Sequence, residues 1–291
     1  MDVLGVVARM NTVSEDFLVY WVNSRILDPL LSTQTAPEAI PLWRRSLVTW
    51  FLVYFGSIFI YYFFGWMDYY FIFLRNEKRK NPNFLVNSKM LWKEIWMSTW
   101  SLFVMSAFTT PMEVLVQLGY SKVYHRVEDY GWFYLAISPF LFVFFSDTLI
   151  YFIHLGLHHR LVYKHLHKPH HSFIDTTPFA AFAFHPIDGF LQGVPYQLYV
   201  FCLPIHASLH LVSLTVVGVW TINIHDRVTF QIPGVNGAGH HRVHHKTFKS
   251  NYGQYTVFWD RVFGTFKDPV EWMQQGSKED REEDVYGKKY I

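Results

Sequence analysis

Long apolar runs alternate with short polar stretches along this chain. Residues 46–67 are all apolar, aromatic or small and polar, and the run continues as DYYFIFL to Leu74. A bilayer span needs about 20 such residues, and the Tyr and Trp crowding the end suit a membrane interface. Residues 95–118 form a second run, which Pro111 is expected to kink. A third covers 132–153. A last pair, 190–204 and 208–224, is joined by a short turn and fits either two spans or a re-entrant hairpin. The pattern predicts an all-α fold, a multi-pass helical membrane bundle of about four spans. It divides into an N-terminal segment, 1–45, with a candidate interfacial helix in DFLVYWVNSRILDPLL. Transmembrane helices follow over 46–153, then a histidine-rich catalytic region over 154–270 that includes the apolar pair, then a charged tail over 271–291.

The polar stretches set the orientation. RNEKRKNPNFLVNSKMLWKE carries six basic residues against two acidic ones. By the positive-inside rule this loop is cytosolic. Counting crossings from it, His154 emerges on the cytosolic face, and the apolar pair returns the chain to the same face at His225.

Fifteen of the sixteen histidines fall between His154 and His245. They come as HLGLHH (His154, His158, His159), HLHKPHH (His165, His167, His170, His171) and HHRVHH (His240, His241, His244, His245), with His185, His206, His210 and His225 between. Packed together without a metal, so many imidazoles would repel on protonation near their ordinary pKa of about 6.5. A metal relieves this, because it takes the neutral ring. His154 and His158, four apart on a helix that continues the third apolar run, share a face with Asp147 and Tyr151. An acid inside an apolar run is costly and usually functional; Asp147 is expected to orient one of these rings by accepting its second proton. His167-x-x-His170-His171 and His241-x-x-His244-His245 share one spacing. The pair three apart is expected on one face, with the adjacent ring turned about 100° away to serve a second ion. Eight or more nitrogen ligands exceed the needs of one ion, so the cap is read as a cytosolic two-metal centre of iron, zinc or copper.

Composition narrows the function. The chain has 51% hydrophobic, 20% aromatic and only 16% charged residues, where soluble domains run at about 25% charged. A net charge of +2 leaves no nucleic-acid footprint, so no nucleic-acid partner is expected. The single cysteine, Cys202, excludes a thiolate cage and an intrachain disulfide. MDVLGVVARMNTVSED lacks a basic start before an unbroken apolar core, so no cleavable signal peptide is expected. No G-x-G-x-x-G fingerprint is present; redox chemistry here would draw electrons from a partner.

HLGLHHRLVYKHLHKPHH, TTPFAAFAFHPIDGFLQGVPY, WTINIHD and NYGQYTVFWDRVFGTFKDP together resemble the fatty acid hydroxylase superfamily, and within it the sterol C-5 desaturases, or lathosterol oxidases. The match covers about residues 130–270; earlier residues agree mainly in hydropathy. The resemblance implies an endoplasmic reticulum membrane enzyme with two non-haem irons. Such enzymes use dioxygen and NADH-derived electrons passed through cytochrome b5 and its reductase, and introduce the Δ5 double bond into Δ7-sterols. It assigns His154, His158, His167, His170, His171, His241, His244 and His245 as ligands and adds His225. His185 falls on the family pattern as ligand or neighbour of a ligand; His159 and His240 are also candidates for either role, beside Asp147. Leu155 stands where the family often has arginine. Thr177 and Phe179, between the boxes, are expected at the sterol entrance, whereas Asn251, Tyr252 and Gly253 are expected to fold the cap. The terminal KKYI resembles a dilysine retrieval signal, which fits that membrane with a cytosolic C-terminus. Two alternatives stay open: a hydroxylase of the same superfamily acting on sterol methyl groups or acyl chains, and a non-catalytic membrane protein that binds metal or sterol.

Overall fold

The computed structural model describes residues 17–36, 39–228 and 232–275. α1 (Leu42–Asp68) passes through a π-type turn (Tyr69–Phe73) into a further helical stretch (Leu74–Lys80). α2 (Ser88–Gln117) and α3 (Gly131–Leu157) follow, then α4 (Pro186–Cys202), α5 (Ala207–Ile224) and α6 (Ala238–Thr247). Asn87 starts α2 by accepting a hydrogen bond from the Met90 amide at 3.2 Å, one of the orphan donors of a first turn. The helix continues through Pro111 to Gln117.

Among the described residues, four helices are long and apolar enough to cross a membrane: Leu42–Lys80, Ser88–Gln117, Gly131–Leu157 and Ala207–Ile224. Only 17% of the apolar window of the first and the last is buried, so most of their side chains face outward. Phe55, Phe59, Phe71, Trp96 and Phe140 are all more than half exposed, a surface suited to lipid. Of the apolar pair, α5 alone meets the length and hydropathy of a span. α4 has 17 residues and carries Asp188, Gln192 and Gln197. It packs against α2 and α3, while α1 packs on α2 and α5. The connection between α4 and α5 is tied by a two-residue parallel pairing, Val123–Tyr124 with Ile205–His206.

Two aromatic cores flank the interior. One gathers Tyr61, Tyr69, Phe73, Ile95, Leu102 and Phe179; the other gathers Phe142, Ile150, Tyr196, Tyr199 and Ile205. The 3-10 turn Pro178–Phe182 is pushed into the first. Its Phe179 carbonyl accepts from the Tyr61 hydroxyl at 3.0 Å and the Ser98 hydroxyl at 2.8 Å, because a buried carbonyl outside a helix needs donors from elsewhere.

The N-terminal stretch is helical as expected, over Phe17–Val22, a π-type turn Asn23–Leu27, and Asp28–Leu31. A buried ion pair docks it: Arg44 donates to Asp28 at 2.8 Å, and Thr33, Thr35 and the Thr35 amide also donate to Asp28. The terminal KKYI motif lies outside the described residues.

Candidate metal centre

α3 ends at the histidine cluster. His154 sits in its last turn and His158 closes it. His167, His170 and His171 come from a short helix, Lys168–His171, and the residue before it. His225 closes α5, and α6 supplies His241, His244 and His245. The fold brings these nine together in two sets. His154, His158, His167, His171 and His244 form one; His170, His225, His241 and His245 form the other. Within each, one nitrogen of every ring lies within 4.8 Å of the rest.

The sharing between sets differs from the expected one. The partners on one face are four apart, not three: His167 with His171, and His241 with His245. The middle ring of each box, His170 or His244, crosses to the other set. The reason is angular. Residues four apart diverge by about 40° around a helix, those three apart by about 60°.

In the first set Nε2 faces Nε2: His154 to His167 at 3.1 Å, His167 to His171 at 3.1 Å, His171 to His244 at 3.1 Å, and His158 to His244 at 3.2 Å. In the second, His225 meets His241 at 3.0 Å and His241 meets His245 at 3.1 Å. The far nitrogens explain which protons are where. His154 Nδ1 donates to the Tyr252 carbonyl at 3.0 Å, and His244 Nδ1 to the Ser250 carbonyl at 2.7 Å. His225 Nδ1 donates to the Thr221 carbonyl at 2.7 Å, and His167 Nδ1 to the Asp188 carboxylate at 2.8 Å. A neutral ring has one N–H, so each of these four presents a bare Nε2 lone pair inward. Lone pairs held 3 Å apart repel unless a cation lies among them. Burial also suppresses protonation. It holds His225 down at about 4; reinforced by neighbouring rings, it holds His158 at about 3 and keeps His170, His171, His241, His244 and His245 well below the ordinary range. Neutral nitrogen donors in two compact sets fit two borderline metal ions.

Asp147 does not touch a histidine. Its carboxylate accepts from the amides of Gln254 at 2.9 Å, Tyr255 at 2.8 Å and Thr256 at 3.2 Å. It anchors the loop that carries the Tyr252 carbonyl, and so acts on His154 one step removed. Asp260 completes the anchorage by accepting from the Tyr252 and Gly253 amides. Asn251 bonds the His240 and Lys267 carbonyls. This segment folds the cap, as expected.

His159, His185 and His240 lie outside both sets. Each ring accepts an amide at the start of a helix: Leu161 at 3.4 Å, Ile187 at 3.3 Å and Gly237 at 3.3 Å respectively. The ring-orienting acid is Asp188, which sequence reasoning passed over. An Asp in the first turn of a helix reads as ordinary dipole compensation, and nothing local ties it to His167, 21 residues earlier.

An elongated cavity of about 550 Å³ opens from the histidines, within the range of small-molecule sites. His154, His167, His170, His225 and His241 line one end. α2 lines its side from Leu102 to Gln117, about 22 Å of helix. Thr177 and Phe179 do not line it. Thr177 is buried and bonded to Glu94, and Phe179 packs against Tyr61, Trp66 and Tyr69. Phe182 and Phe184, a few residues on, form the wall instead.

A helical membrane protein with two buried histidine sets at the end of an apolar cavity is a class defined by this geometry. Residues 139–265 match the family model described as fatty acid hydroxylase. The chain is 44% identical over 228 residues to the lathosterol oxidase of Rattus norvegicus, covering 76% of this chain and 75% of that protein. It is 41% identical over 255 residues to that of Homo sapiens, covering 85% and 84%. It is 37% identical over 269 residues to a Delta(7)-sterol 5(6)-desaturase of Schizosaccharomyces pombe, covering 92% and 89%. No solved structure matches it. The chain belongs to the fatty acid hydroxylase family, in the branch of these sterol oxidoreductases.

Proposed function

We propose that this protein is a sterol C-5 desaturase, which removes hydrogens from C-5 and C-6 of a Δ7-sterol. Two sets of inward-facing histidine nitrogens at the end of a sterol-sized cavity carry this reading, in a chain 41–44% identical to lathosterol oxidases. His154, His158, His167, His171 and His244 would hold one iron, and His170, His225, His241 and His245 the other. When bound, the iron pair supplies the reduction of dioxygen that must accompany loss of two hydrogens. Overall, one dioxygen takes up the sterol's two hydrogens, two electrons from NADH and two protons, and leaves as two waters. The chain's own part is positional. Asp188 and the carbonyls of Tyr252, Thr221 and Ser250 fix ring tautomers. The apolar walls hold the steroid against the histidine end and exclude water. We place the enzyme in the endoplasmic reticulum membrane with the histidine cap in the cytosol, where cytochrome b5 and its reductase deliver electrons.

Expression in a yeast strain lacking its own sterol C-5 desaturase tests the reading. Extracted sterols should show the multi-peaked ultraviolet absorption of a conjugated 5,7-diene, and His170→Ala should abolish it. A stably expressed chain that instead yields a sterol heavier by one oxygen is a hydroxylase.

A further inference from the structure

Desaturation at C-5 and C-6 dictates how a sterol must lie in the cavity. The hydroxyl sits on C-3, two bonds from C-5, so it must share the histidine end with the reacting carbons. The aliphatic side chain, on the opposite edge of the steroid, must point away. The acceptor for the hydroxyl is therefore sought beside the histidines.

We propose that the Oε1 atom of Gln192 accepts the hydrogen bond of the substrate's 3-hydroxyl. Gln192 lines the cavity one turn beyond Asp188 on α4. Its Nε2 donates to Asp188 Oδ1 at 2.8 Å, while Asp188 Oδ2 holds the His167 ring at 2.8 Å. A carboxylate only accepts, so only the NH₂ end of the amide can face Asp188. The orientation of Gln192 is thus set, and Oε1 is left to the cavity; among the described residues none donates to it. The same carboxylate that orients a histidine also aims the substrate's acceptor, and binding geometry and centre are built as one unit. Gly193, the next residue, leaves the wall flat: a Cβ there would meet nothing within 4 Å. The methyl-free face of a steroid can lie against it.

Of the three other cavity amides, Gln117 has its Oε1 taken by Arg45 at 3.5 Å and Thr49 at 3.3 Å, and two compete. Gln197 lines the cavity and its buried Oε1 has no partner, but it lies nine residues past Asp188, about 13 Å along the helix. That places it beside the sterol side chain, which has nothing to donate. Gln254 donates through Nε2 to Thr221 at 3.1 Å and also leaves Oε1 to the cavity. Its link to a ring is longer: its backbone amide donates to Asp147, which reaches His154 only through the loop that carries the Tyr252 carbonyl.

The assignment rests on the sterol activity proposed above, and equilibrium binding separates the two. The purified full chain is titrated with radiolabelled lathosterol and with its 3-methyl ether, which keeps the skeleton and loses the donor. The wild type should prefer the free alcohol by roughly tenfold. Gln192→Met, similar in shape but without the acceptor, should bring the ratio near one while the ether binds as before. The unchanged ether affinity shows that the cavity is intact. A ratio that survives in Gln192→Met overturns the assignment, and collapse in Gln254→Met or Gln197→Met relocates the hydroxyl. If the wild type binds neither compound, the sterol activity itself fails, whatever Gln192 does.

Discussion

Asp188 shows how one side chain links the parts of this molecule. One of its oxygens holds His167, the other holds Gln192, and it is fully buried. A buried carboxylate is costly unless its lone pairs are taken, and here both partners take them. Removing such a ring-orienting acid typically costs 10–100-fold in metal affinity. Asp188→Ala should therefore lower iron affinity by about that factor, read by chelator competition on the purified chain. His185→Ala, three residues earlier, removes a ring outside both sets and should leave affinity unchanged; an equal loss there would make His185 a ligand. The nine clustered histidines were legible from spacing and resemblance. Their partition was not, because sequence spacing does not say whether the third or fourth neighbour turns inward when three helices converge. Asp147 was legible as important, being an acid in an apolar run. Its partners, 107–109 residues away, were not.

At the scale of elements, α4 and the N-terminal helix decide the shape of the cavity. α4 is short and amphipathic, and presents Gly189, Gly193 and Gln192 to the interior. Gly193→Leu should project into the open space beside Gln192. We expect iron retained and sterol affinity reduced about five- to hundredfold, since overpacking a fitted site costs on the order of 1–3 kcal/mol. Equal loss of iron and sterol would mean that the helix had moved. The N-terminal helix contributes Leu18 and Val19 to the cavity and is held by Asp28 and Arg44. Burial raises the Asp28 carboxyl, but hydrogen bonds from Thr33, Arg44 and Thr35 outweigh this and hold it below its ordinary 3.8. A depressed folded-state value means that its contribution is complete above about pH 4 and fades as acid is added below it. Limited proteolysis within residues 33–36 should be slow at pH 7 and pH 5 in the wild type and fast at both in Asp28→Asn. Equal resistance in the variant would show that the ion pair does not dock the helix. The amphipathic character of this helix could be read from its sequence; its contact with the cavity could not.

For the whole molecule, the histidine end is where helix termini meet and where lone pairs oppose one another. Such a cap gains stability from a bound cation through mass action. Chelation should lower the melting temperature by on the order of 10 °C, with far-ultraviolet helical signal largely kept below the transition. An unchanged melting temperature would mean that the cap is held by its backbone hydrogen bonds alone. The membrane helices should be indifferent, because their apolar surfaces face outward and their own backbone bonds are internal.

By itself the sequence determined the apolar helices, the histidines that cluster and the family, because each is written in local hydropathy, composition or motif. Only the tertiary structure decided which rings share an ion, which acid orients them, and which residues line the cavity. Those are contacts between elements 20 to 110 residues apart, made by packing angles that no local pattern records. Thr177 and Phe179 illustrate the difference. Their place between the boxes suggested the substrate, yet Phe179 is buried against Tyr61, Trp66 and Tyr69, and Thr177 is buried against Glu94 of α2. Phe182 and Phe184, with no better local signature, form the wall.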